Sequence, residues 1–127
     1  MLRPSVVLIV EDEPDLTDRY AAWLDDDHEV RSATDAESAL EEFDETVDVV
    51  FLDRQLPDAS GGGLLGRLRD RDGDFAAAML TETEPDAGLL KLDVDEYVTA
   101  PTEKAELRAL VDRLADRAAV EGAMEDY

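Results

Sequence analysis

The sequence predicts an α/β fold in which five parallel strands, in the order 2-1-3-4-5, are doubly wound by helices on both faces. Three observations predict it. Short apolar runs end in polar or acidic residues, as in Val49-Val50-Phe51-Leu52-Asp53, which is the pattern of strands covered on both sides. Between these runs, apolar residues recur at helical spacing. Strict alternation of the two, five strands with five helices, calls for right-handed crossovers and hence a parallel sheet. The 127 residues fit one domain, able to bury roughly two-thirds of the surface its unfolded form would expose.

Ser5-Val6-Val7-Leu8-Ile9-Val10 reads as the first strand, ending in Glu11-Asp12-Glu13. Pro14 suits the first turn of a helix, on which Leu16, Tyr20, Trp23 and Leu24 share one packing face. Asp25-Asp26-Asp27 ends that helix. His28-Glu29-Val30-Arg31-Ser32 is a more polar strand, expected near the sheet edge with His28 at the surface. Thr34-x-x-Glu37 reads as a capping box, opening a second helix that buries Ala36, Ala39, Leu40 and Phe43.

The third strand, Val49–Asp53, runs into a loop marked by Pro57 and by Gly61-Gly62-Gly63, read as a hinge into a helix carrying Leu64, Leu65 and Leu68. Phe75 to Leu80 leads to Thr81 as the fourth strand. A weak, mobile helix is expected from Glu84 to Leu92, because Pro85 permits only a start there and Gly88 costs about 1 kcal/mol inside it. Tyr97-Val98-Thr99 is the fifth strand, Ala100-Pro101 turns the chain, and Leu107, Leu110, Val111, Leu114 and Ala118 form one face of a long final helix.

Composition excludes whole classes of chemistry. With no cysteine and a single histidine, His28, a thiolate or imidazole metal cluster is not expected and a Ser/His/Asp hydrolase is effectively ruled out. No stretch approaches the ~20 apolar residues of a membrane span, and the start is too short for a signal peptide, so a cytoplasmic protein is expected. Twelve Lys and Arg against 34 Asp and Glu give a net charge of -22, which repels nucleic acid and membrane surfaces. Concentrated salt screens the self-repulsion such a charge causes. Scattered carboxylates and only two lysines, Lys91 and Lys104, point to a halophilic protein.

Ligands of open parallel sheets bind at the carboxyl ends of the strands, and the flavodoxin-like order 2-1-3-4-5 puts its switch point between strands 1 and 3. Glu11-Asp12 and Asp53 therefore become neighbours, with Thr81 alongside. Three carboxylates in one cleft either take up protons or bind a hard cation. Mg2+ fits best, since it takes oxygen ligands and commonly uses one or two carboxylates with substrate phosphate. A strand-tip carboxylate beside Mg2+ can act as a nucleophile toward a phosphoryl group, and Asp53 is the candidate.

These matches, spread over essentially the whole chain, resemble the receiver domain of two-component response regulators. The acidic pair after the first strand is Glu11-Asp12 and the phospho-acceptor is Asp53, with Pro57 and Gly61 in the following loop. The strand-four hydroxyl is Thr81, the strand-five aromatic is Tyr97, and the proline closing the site is Pro101. The resemblance implies phosphorylation of Asp53 by a partner histidine kinase. It also implies that Asp12 and Asp53 ligate Mg2+ directly, that Glu11 acts through water, and that the Gln55 carbonyl completes the protein ligands. Thr81 and Tyr97 would rotate on phosphorylation. The face of the fourth helix, fifth strand and final helix would then change its affinity for partners, including a second copy of the chain.

Two departures bear on that expectation. The family lysine before the proline is here Ala100, which removes a charge-assisted hydrogen bond worth roughly 1.5–3 kcal/mol. Glu82 stands where relatives carry a small residue. Gln55 and Thr83 match positions that line the path of attacking water. A pseudo-receiver, working as a phosphorylation-independent interaction module, is thus an alternative. An Asp-based phosphohydrolase is disfavoured, because its usual second Asp is here Gln55. The receiver is expected over 1–120, with 121–127 a tail leading toward an output domain of a longer protein.

Overall fold

The computed structural model describes residues 5–71, 74–81, 94–99 and 102–125, with side chains as far as Ala118. In chain order the elements are β1 (Val6–Val10), α1 (Pro14–Leu24), β2 (Glu29–Ala33), α2 (Ala36–Glu42) and β3 (Val49–Asp53). They continue with α3 (Gly61–Arg71), β4 (Ala76–Thr81), β5 (Glu96–Thr99) and α4 (Lys104–Glu125). The sheet order is β2-β1-β3-β4-β5, with every pairing parallel, as expected. The weak helix expected from Glu84 to Leu92 lies outside the described residues.

Successive residues of a strand point to opposite faces, and here both faces are covered. Leu8, Val10, Val50, Leu52 and Met79 join the core beneath α2 and α3, while Val7, Ile9, Val49, Phe51 and Leu80 join the core beneath α1 and α4. Uninterrupted apolar runs are what such a two-sided sheet requires. β2 sits at one edge, which accounts for its mixed exposure. On α4, Leu107, Leu110, Val111, Leu114 and Ala118 are all buried, as their spacing predicts.

Three local expectations are corrected. The cap of α2 is Asp35, whose carboxylate accepts the Ser38 amide at 2.7 Å, not a box made by Thr34 and Glu37. The glycine triplet is the first turn of α3, capped by Ser60 Oγ accepting the Gly63 amide at 3.0 Å. His28 is not a surface residue, because its side chain is 8% exposed. Its Nδ1 accepts the Ser5 amide at 3.1 Å, and its Nε2 lies 3.7 Å from Asp112 on α4. The start of a central strand leaves an amide in need of an acceptor, and the imidazole supplies it.

Candidate metal centre

β1 and β3 pair side by side, Val10 opposite Leu52, so the residues that follow each strand emerge together at the carboxyl edge. Carboxylate oxygens of Glu11, Asp12 and Asp53 there lie within 4.8 Å of one another. Glu11 is buried, Asp53 half-buried and Asp12 exposed. The acidic turn is held from both sides. The Glu11 amide donates to the Ala33 carbonyl of β2 at 3.1 Å, and the Thr17 hydroxyl donates toward the carbonyls of Glu11 and Glu13, each at 3.1 Å. Sequence reading missed Thr17. Its signal was a threonine four residues after Glu13, at a buried position of α1.

The loop after β3 is tied to its neighbours by backbone. Arg54 donates to the Leu80 carbonyl at 3.1 Å, Leu56 to Ala59 at 3.0 Å, and Gly61 to Arg54 at 2.8 Å. The Gln55 amide donates to Asp53 Oδ1 at 3.2 Å, so the Gln55 backbone belongs to the rim of the site. A Cβ on Gly61 would lie 2.2 Å from the Asp53 carbonyl oxygen. This position therefore requires glycine because two backbones meet there.

Crowded, buried acids resist ionisation. Burial pushes the Glu11 carboxyl up to about 8, helped by the Asp53 charge and by hydrogen bonds with Asp12 and Asp53, against the pull of the Glu13 amide. Asp53 is also raised, chiefly by burial. The Gln55 amide opposes that rise, Asp12 adds to it, and the hydrogen bond with Glu11 lowers it. The cluster thus keeps a proton on Glu11 near neutral pH unless a cation takes its place. An all-oxygen, multiply negative donor set suits Mg2+.

Thr81 is buried at the end of β4, one residue beyond the partner of Asp53 in the ladder. Tyr97 is half-buried on β5 opposite Met79, packed against the core shared with α2 and α3. Ala100, Pro101, Glu82, Thr83 and Lys91 lie outside the described residues. Among the described residues, no helix is long and apolar enough to cross a membrane.

Comparison with known proteins gives a consistent result. Residues 7–112 match the response regulator receiver domain. A Haloferax volcanii protein named as a transcriptional regulator is 37% identical over 97% of this chain, which spans 21% of that protein. Its source accords with the salt-adapted composition. The sensory transduction protein RegX3 of Mycobacterium tuberculosis is 40% identical over 83% of this chain, which spans 48% of it. The chain thus covers half the length or less of these curated relatives. The crystal structure of a CheY-like receiver domain protein from Methanospirillum hungatei superposes with a TM-score of 0.85 at 22% identity, covering 94% of this chain and 99% of that one. With the strand order, the acidic cluster and the matched span in agreement, this chain belongs to the response regulator receiver domain family.

Proposed function

We propose that the chain is a phospho-accepting receiver that takes a phosphoryl group from a sensor histidine kinase onto Asp53 with Mg2+. The observation carrying this reading is the meeting of Glu11, Asp12 and Asp53 at the switch point of the sheet, with carboxylate oxygens within 4.8 Å. When bound, Mg2+ would offset the negative charge of the transferring phosphoryl oxygens. Asp12 and Asp53 would hold it directly, Glu11 through water, and the Gln55 carbonyl would complete the protein ligands.

Asp53 attacks phosphorus as the phosphorus–nitrogen bond of the donor phosphohistidine breaks. The bonding pair leaves with the imidazole nitrogen, and an acyl phosphate remains on Asp53. The Gln55 amide, already on Asp53 Oδ1, keeps the attacking carboxylate oriented. Thr81 then engages the new phosphoryl group, and Tyr97 responds on β5. The readout face includes β5 and α4, where a groove of about 570 Å3 is lined by Tyr97, Thr99, Ala105, Ala109 and Arg113 among others. It would serve an output partner or a second copy.

This reading assigns no turnover beyond self-catalysed phosphotransfer and dephosphorylation. It places the receiver at 1–120, with 121–127 leading toward an output domain, as the greater length of the relatives suggests. The setting is the cytoplasm, with no direct binding of nucleic acid or membrane at a charge of -22.

Ala100 favours a second reading, a pseudo-receiver held in one state. Acetyl-phosphate labelling with Mg2+ separates the two, with Asp53→Ala as the blank. We expect the native chain to be labelled at Asp53 and Ala100→Lys to show a larger conformational response. Labelling of Ala100→Lys alone would establish the pseudo-receiver. Equal labelling and equal response would remove any role for Ala100.

A further inference from the structure

At its tip, the loop after β3 reaches across to α2. Asp58 Oδ1 accepts the Ala36 amide at 2.8 Å and Oδ2 accepts the Glu37 amide at 3.1 Å. These are the first two residues of α2, whose N-terminal amides have no partner within the helix. Asp35, the local cap, takes only the third, at Ser38. A helix of seven residues is well below the ~12–15 needed to persist alone, so its start depends on a carboxylate delivered from 21 and 22 positions away. The two amides hold the Asp58 carboxyl below its usual range, as expected of an ionised clamp. The same loop carries the Gln55 amide on Asp53 Oδ1, and buried Leu56 anchors its middle in the core that also holds Leu40 of α2.

We propose that Asp58 is a positioning residue of the acceptor site: clamped on α2, it holds the loop from Arg54 to Ser60 in the form that presents the Gln55 backbone to Asp53. The clamp runs both ways, so a change at Asp53 is felt at the start of α2. This inference rests on the reading of Asp53 as the acceptor beside Mg2+.

The test follows the amide resonances of Gln55, Ala36 and Glu37 in the chain, first without metal and then through titration with Mg2+ and with beryllofluoride as phosphoryl mimic. In metal-free Asp58→Ala, the Gln55 resonance should move, and the Ala36 and Glu37 amides should exchange faster. The Mg2+ dissociation constant should rise about five-fold, the factor that a lost helix cap corresponds to. Asp35→Ala is the control, because it loosens α2 without touching the loop, and its Mg2+ affinity should stay native. Equal weakening in both variants would reduce Asp58 to a helix cap, and an unmoved Gln55 resonance would overturn the clamp outright. Should Asp58→Ala fail to fold, Asp58→Asn, which keeps one acceptor oxygen, should give an intermediate affinity; a native value would sink the proposal. If native protein binds no Mg2+, the metal-centre reading fails, while the metal-free Gln55 shift still decides the clamp.

Discussion

At the amino edge of the sheet, Asp48 accepts the Val6 amide at 2.9 Å and Asp95 accepts the Ala77 amide at 2.8 Å. Arg117 lies 3.3 Å from Asp95, and Arg69, stacked 4.1 Å over the Phe75 ring, lies 3.8 Å from it. At the carboxyl edge, Glu11, Asp12 and Asp53 face one another within 4.8 Å. The residue types are nearly the same, and the consequences are opposite. Below, each carboxylate accepts a backbone amide, and Asp95 also pairs with Arg117 and Arg69. Above, burial of Glu11 and Asp53 and the crowding of the three acids oppose ionisation, a cost that a bound cation would offset. Position relative to the strand ends, more than acidity, separates the carboxylates that complete the backbone from those crowded together at the carboxyl edge.

Substitutions can break this contrast. The largest effect is expected from Gly61→Ala, whose Cβ would meet the Asp53 carbonyl oxygen at 2.2 Å. Backbone must move to make room, so a loss of about 3 kcal/mol is expected, measured by urea unfolding, together with weakened Mg2+ binding. Next comes Asp48→Ala at the opposite edge. It strands the Val6 amide, which should cost roughly 1–3 kcal/mol while leaving Mg2+ affinity unchanged. A matching fall in Mg2+ affinity would show that the two edges are not independent.

Stability should also depend on pH. In metal-free protein, Glu11 titrates at about 8 when folded against an ordinary 4.5. Between those values the folded state binds the extra proton, so stability must fall as pH rises through that window. Mg2+ should reverse the trend and release a proton on binding near neutral pH, detectable by calorimetry in buffers of different ionisation enthalpy. The most discriminating change is Glu11→Gln. It should flatten the metal-free pH profile and raise stability above pH 8, the opposite sign to Asp48→Ala. A pH profile as steep as the native one would place the cost elsewhere among the acidic residues.

Much of this was legible in the chain itself. The apolar runs of β1, β3 and β4 are almost unbroken because both faces of the sheet are covered, and the faces of α3 and α4 follow helical periodicity. Strict alternation then narrowed the topology to an order that made neighbours of Glu11-Asp12 and Asp53. Each of these signals is local and repeated, which is why a single sequence carries it. The start of α2 departs from expectation because Asp35, not Thr34, caps it and its first two amides go to Asp58 from a distant loop, while Thr34 and Glu37 merely have the right local spacing. His28 was misplaced for a similar reason, since its acceptor role exists only once β1 starts beside it.

What the sequence alone determined, then, is the layered fold and the chemistry gathered at its carboxyl edge, both set by hydrophobic periodicity and by the residues that end each strand. Only the tertiary structure decided how that edge is held: Thr17 under the acidic turn, Gly61 against the Asp53 backbone, and Asp58 clamped on α2. Those contacts are hydrogen bonds and close approaches between segments remote in sequence. Their geometry depends on distances of a few tenths of an ångström, which no pattern of residue types encodes.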